Sequence, residues 1–123
     1  MIAAYALTAL LGLLTVFQFA LIFGAPLGRF AWGGTHRILP TRLRIGSAVS
    51  VVIYAVIALL ALDCAGVIDL VPDAVSTVAM WVVFAYFVLG IAMNGISRSK
   101  PERYTMAPLS ALLAALSLLV VLS

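Results

Sequence analysis

Apolar residues fill four long stretches of the chain, and short polar segments separate them. No stretch carries a charged side chain in its middle, and each is long enough to cross about 30 Å of hydrocarbon as an α-helix. We therefore predict an all-α, polytopic membrane protein with four transmembrane helices in an up-down-up-down bundle. The predicted single domain has spans at residues 2–23, 45–65, 75–97 and 101–122. Its connections are predicted at residues 24–44, 66–74 and 98–104.

The composition agrees with lipid as the main solvent of the chain. Hydrophobic residues make up 66% of the sequence and charged residues 9%, whereas a soluble domain carries roughly a quarter charged residues. The first stretch could be mistaken for a signal peptide. However, no basic residue precedes it, and its apolar run continues to Phe23, longer than the apolar part of a signal peptide. We interpret it as a retained helix.

The charged residues predict an orientation in the membrane. The second connection and its flanks contain three aspartates and no basic residue, namely Asp63, Asp69 and Asp73. All basic residues of the chain fall in the first and third connections: Arg29, Arg37, Arg42, Arg44, Arg98, Lys100 and Arg103. Because basic loops stay in the cytoplasm, both termini are predicted outside, giving an N-out/C-out protein. No basic run with interleaved aromatics is present, so we predict no nucleic-acid partner.

Cysteine and histidine usage argues against several chemistries. Cys64 and His36 are each the only residue of their type, so one chain cannot form a disulfide, a thiolate metal cage or a bis-histidine haem site. We predict no metal and no cofactor, and we favour a protein that is not an enzyme. The three outer aspartates fit no calcium-loop spacing and are interpreted as solvated loop acids.

The first connection is the most distinctive segment. It is long for a link between helices and combines glycines, which permit unusual backbone conformations, with arginines, which suit phosphate. One hypothesis is a contact with phosphate or an anionic lipid head group. Its residues would be Arg29, Gly33, Gly34, His36, Arg37, Arg42 and Arg44. The simpler alternative, which we favour for His36 and for Arg37, is that the arginines only fix orientation and touch lipid non-specifically.

Two amides are predicted to be buried inside the membrane. Gln18 and Asn94 both lie near the cytoplasmic ends of their spans, where they could face each other and form a hydrogen bond. The functional alternative is a polar lining for a substrate path. We favour the structural interpretation because neither side chain is ionisable.

Two further patterns concern the fourth span. Ala107, Ala111 and Ala115, flanked by Ser110 and Ala114, recur at the four-residue spacing that allows helices to pack closely in lipid. Ser99 and Glu102 match a capping box, in which each side chain would bind a backbone N–H of the first helical turn.

Two segments carry a resemblance to a known group. The first is Gly24-x-Pro-x-Gly28 followed by Trp32-Gly-Gly34 and Leu39-Pro40, with nearby arginines; the second runs from Asn94 to Arg103 and is followed by Pro108. Together they resemble a family of small four-helix bacterial integral membrane proteins. The resemblance implies the same fold in a bacterial inner membrane, and a shared function located in the two cytoplasmic loops. It implies no activity. Leu27 and Met106 depart from the family pattern, which has aromatic residues at or near these positions.

Three functional hypotheses remain open. We favour a non-catalytic membrane protein, either an accessory subunit of a larger membrane assembly or a lipid-associated bundle, with membrane lipids as partners. The alternative is an oligomeric small-solute transporter, although the first span lacks the embedded acid that small multidrug exporters use. The third is a lipid-headgroup enzyme relying on His36.

Overall fold

The computed structural model describes all 123 residues, and four helices form its framework. Their bounds are α1 Ile2–Ile22, α2 Thr41–Cys64, α3 Asp73–Gly95 and α4 Lys100–Leu122. The chain has no β-strand. All four helices are long enough and apolar enough to cross a membrane, judged by length and composition. The predicted all-α class and the four candidate membrane-spanning helices are therefore confirmed.

The second helix starts earlier than its predicted span. α2 begins at Thr41 rather than at Ile45, so Arg42 and Arg44 belong to its first turn and not to the preceding loop. Pro40 has an extended backbone and precedes the helix, and its carbonyl oxygen accepts hydrogen bonds from the N–H groups of Leu43 and Arg44. The first turn of α2 is rich in polar residues, so a prediction based on apolar stretches does not include it.

The helices associate as two close pairs. α1 packs along α2 and α3 along α4, while fewer contacts join α2 to α3 and α1 to α4. The shared core takes side chains from every helix, at the three- and four-residue spacing of a helix face. Its fully enclosed members include Ala4, Leu7, Ala61 and Met80. Many large apolar side chains instead point outwards, as expected for a surface covered by lipid.

Small residues mediate a close helix contact, but not along the predicted stripe. Ala111 and Ala115 lie on the exposed face of α4, and the buried face carries Ser110, Ala114 and Ser117. The predicted stripe is therefore wrong for Ala111 and Ala115, whereas its flanking residues Ser110 and Ala114 lie on the packed side. Alanine is common on every face of an apolar helix, so its spacing does not identify the packed side.

The second connection is held by Asp63, which was predicted to lie in solvent. Asp63 is only 2% exposed, and its Oδ2 accepts hydrogen bonds from the backbone N–H groups of Leu70 (2.6 Å) and Val71 (2.9 Å). These bonds fold the connection back onto the end of α2. For Asp63, the interpretation as a solvated loop acid is wrong, because the residue is buried and its carboxylate binds two backbone N–H groups.

Candidate functional site

The first connection folds over one end of the bundle. It contains two short 3-10 helices, Gly28–Phe30 and Trp32–Gly34. The N–H of Gly28 donates to the carbonyl oxygen of Arg37 at 2.8 Å, which closes the segment into a compact loop. A Cβ atom on Gly28 would overlap the carbonyl oxygen of His36, so this crossing needs glycine.

Trp32 fixes this loop to α2. Its indole lies against Gly46, where an added Cβ would be 2.8 Å from the ring, and its Nε1 donates to Ser47 Oγ at 3.2 Å. Trp32 has φ of +52°, a left-handed conformation that costs a non-glycine residue about 1–2 kcal/mol. The hydrogen bond and the ring packing hold the residue in that conformation.

The start of α4 fixes the other side of the loop. Ser99 Oγ donates to the carbonyl oxygen of Arg29, and Glu102 Oε2 accepts from the N–H of Gly33 at 3.0 Å. No side-chain capping bond forms at this helix start. The predicted capping box is therefore wrong: both side chains bind the folded loop instead of their own helix.

Behind the loop lies a cavity of about 570 Å³ that extends into the bundle. Along α4 it reaches from Glu102 to Leu113, a length of about 16 Å at 1.5 Å per residue. All four helices and the loop contribute to its walls, which are mostly apolar. Its aromatic members are Phe17, Phe30, Trp32, Tyr54, Tyr86 and Phe87. Its polar side chains, apart from the tyrosines and the tryptophan, are Gln18, Asn94, Ser97, Glu102 and Ser110.

Both amides singled out by the sequence line this cavity. Gln18 Nε2 donates to the Tyr54 hydroxyl at 3.2 Å, and Asn94 Nδ2 donates to Ser110 Oγ at 2.9 Å. The two amides therefore have separate partners and form no hydrogen bond with each other. Gln18 is 8% exposed, and its Oε1 is buried without a hydrogen-bond partner.

Glu102 is the functional candidate that sequence reasoning missed. It is 5% exposed and is the only charged residue in the cavity wall. Its position in the first turn of α4 and its match to a capping box suggested a local role. The only signal in the sequence for another role was the glycine-rich first connection, whose backbone N–H groups could bind Glu102 in place of those of its own helix.

Gly33 and Gly34, which belong to the predicted phosphate contact, have no free N–H group. The N–H groups of Gly33 and Gly34 are already engaged, the first by Glu102 and the second by the carbonyl oxygen of Ala31 at 2.8 Å. The Gly33–Gly34 segment therefore cannot offer these donors to phosphate in this conformation. The carboxylate of Glu102 already lies where an anion would bind.

The basic residues of the proposed contact lie around the loop and outside the cavity wall. Arg44 Nε donates to the carbonyl oxygen of Leu39 at 2.8 Å, and the Arg29 guanidinium lies 5.2 Å from the centroid of the Phe30 ring. Arg37 and Arg42 are exposed. His36 is half-buried, and its Nδ1 has no hydrogen-bond partner.

The histidine, cysteine and acidic side chains of the chain do not form a metal site. No cluster of three or more histidine, cysteine or acidic side chains is arranged to hold a metal ion. Comparison with protein-family models, with curated proteins and with solved structures gives no match to this chain. The site must therefore be interpreted from its own geometry.

Proposed function

We propose that this chain is a non-catalytic, multi-pass membrane protein that binds an amphipathic molecule inside its helix bundle. The cavity behind the first connection carries the proposal. Its volume lies in the range of small-molecule sites, and its wall combines apolar and aromatic surface with a few polar groups, as such sites do. This is the lipid-associated form of the function favoured by the sequence. A larger assembly or a homo-oligomer could contain the same bundle.

The proposal includes an orientation. We place the bundle in a bacterial inner membrane with both termini outside, as an up-down-up-down arrangement. Support comes from the basic residues, which all lie beside the first and third connections. The Asn94–Ser110 bond is consistent with antiparallel neighbours, because it joins the end of α3 to the first half of α4. The loop over the cavity then faces the cytoplasm.

Native mass spectrometry of the protein in nanodiscs tests the binding function. We expect one amphipathic molecule to remain bound to each chain after gentle extraction from membranes. Leu109→Trp places a larger side chain in the cavity wall and should remove this bound mass. Leu112→Trp makes the same change on the exposed face of the same helix and should leave it in place. Equal retention by both variants would show that the bound molecule lies elsewhere.

Transport is the second candidate, and Glu102 favours it. The absence of an acid from the first span argues against proton-coupled export, but α4 contributes a buried carboxylate to the cavity. A proton-coupled carrier needs such a group, since it can exchange a proton for a cation. Flux of a lipophilic cation into proteoliposomes under a pH gradient would support transport if Glu102→Gln abolished it. His36 does not line the cavity, so no observation favours the lipid-headgroup enzyme.

A further inference from the structure

We infer that the cavity selects amphipathic molecules with an ammonium head group, held by Glu102. This inference rests on the proposed function, because it names the chemical class of the molecule bound at the same site. Charge, hydrogen-bonding capacity and the shape of the cavity each contribute to it.

The charge in the cavity is negative. Glu102 is the single charged residue of its wall, while every lysine and arginine of the chain lies outside the wall. The carboxylate accepts one hydrogen bond, from Gly33, and no basic side chain forms an ion pair with it. The helix start at α4 offsets part of the cost of burying this charge. A cation in the cavity would offset the rest, because buried charges are stable when paired.

The cavity wall contains hydrogen-bond acceptors that lack a donor. Glu102 Oε2 accepts from Gly33, which leaves the other carboxylate oxygen free, and Gln18 Oε1 is a buried acceptor without a partner. A primary ammonium group brings three N–H donors and no acceptor, so it suits the free oxygen of Glu102, and Gln18 adds a second acceptor to the wall. Trp32, Tyr54 and Tyr86 add aromatic faces, which attract cations.

The rest of the cavity fits an apolar body. Leu14, Phe87, Leu109 and Leu113 line it beyond the polar groups. The wall also includes Leu89 and Met93 of α3, which are each 60% exposed. In a bilayer, exposed apolar side chains on a membrane-spanning helix contact lipid, so this side of the cavity is the expected entry for an alkyl chain. A small hydrophilic cation would leave this apolar surface unfilled.

Tryptophan fluorescence provides the test. Trp81 lies outside the cavity wall, so a Trp81→Phe background leaves Trp32 as the only tryptophan and as a reporter within the wall. The protein in phosphatidylcholine nanodiscs is titrated at pH 7 with dodecylamine, dodecanol or dodecanoate. We expect saturable changes in Trp32 emission, with dodecylamine binding at least about tenfold more tightly than dodecanol and dodecanoate binding most weakly.

Substitutions separate the head-group contact from general partitioning into lipid. Glu102→Gln keeps an oxygen for the N–H of Gly33 but removes the charge, and it should weaken dodecylamine at least about tenfold while leaving dodecanol unchanged. Gln18→Leu should weaken dodecylamine less. Asp69→Asn removes an acid from the exposed second connection and should change neither titration. All variants are compared in the same nanodiscs, so partitioning cancels.

The outcomes distinguish the two levels of the proposal. If no amphiphile alters Trp32 emission saturably, the proposed binding function fails together with this inference. If all three amphiphiles bind equally, or if Glu102→Gln changes the affinities for dodecylamine and dodecanol by the same factor, the cavity still binds amphiphiles. The inferred selectivity for ammonium is then wrong. Tightest binding by dodecanoate would also overturn it and would assign the head group to the arginines of the first loop.

Discussion

Gly33 and Gly34 are adjacent and both have positive φ angles, of +77° and +71°, but only one of them is enclosed. A Cβ atom on Gly33 would meet nothing closer than Thr35 Oγ1 at 3.7 Å, whereas a Cβ on Gly34 would overlap the side chain of Ser99. The two positions therefore share backbone strain but differ in packing. This contrast allows the contact between the loop and α4 to be tested with a matched pair.

We expect Gly34→Ala to destabilise the folded loop more than Gly33→Ala does. Gly33→Ala should cost about 1–2 kcal/mol from the left-handed backbone alone. Gly34→Ala should have the same backbone cost and should lose about 1–3 kcal/mol more from overpacking against Ser99. Limited trypsin digestion at Arg29 and Arg37 measures loop opening, and thermal unfolding in detergent measures stability. Equal effects of the two variants would contradict the close contact with Ser99.

At the scale of helices and connections, the sequence predicted the elements well and their partners poorly. The four apolar stretches predicted four helices because helix length and apolarity are local properties. Ser99 and Glu102 are an example of partners that local sequence does not determine. A serine and a glutamate at this spacing can bind their own helix or a neighbouring loop. The choice depends on the N–H of Gly33, which is distant in sequence. Likewise, Gln18 and Asn94 were identified as buried polar side chains, but no local pattern indicated Tyr54 and Ser110 as their partners.

Asp63 gives a prediction for the second connection. Asp63→Ala removes the acceptor for the backbone N–H groups of Leu70 and Val71, and hydrogen bonds to a charged acceptor are stronger than neutral ones. We therefore expect the free energy of unfolding to fall and hydrogen exchange at Leu70 and Val71 to accelerate. Asp69→Ala, in the exposed part of the same connection, should change stability by less than about 0.5 kcal/mol. A similar loss of stability in both variants would indicate that the net charge of the connection, and not the hydrogen bonds of Asp63, determines its stability.

At the scale of the whole molecule, the two ends of the bundle differ in both charge and construction. One end has a short connection held by Asp63, and the other has the longer loop held by Trp32, Ser99 and Glu102. The basic residues surround the second end, and the cavity lies directly beneath its loop. If that end faces the cytoplasm, a molecule bound in the cavity would have its head group near the cytoplasmic surface and its apolar body within the bilayer.

Cysteine labelling tests this orientation. In a Cys64→Ala background, Asp69→Cys and Thr35→Cys each introduce one thiol at an exposed position, in the second connection and in the first connection respectively. Because basic loops are retained in the cytoplasm, a membrane-impermeant maleimide should label Asp69→Cys in intact spheroplasts. Thr35→Cys should react only after the membrane is permeabilised. The reverse pattern would place the cavity mouth on the outer surface, and an amphipathic molecule would then reach the site from the outer leaflet instead of the inner one.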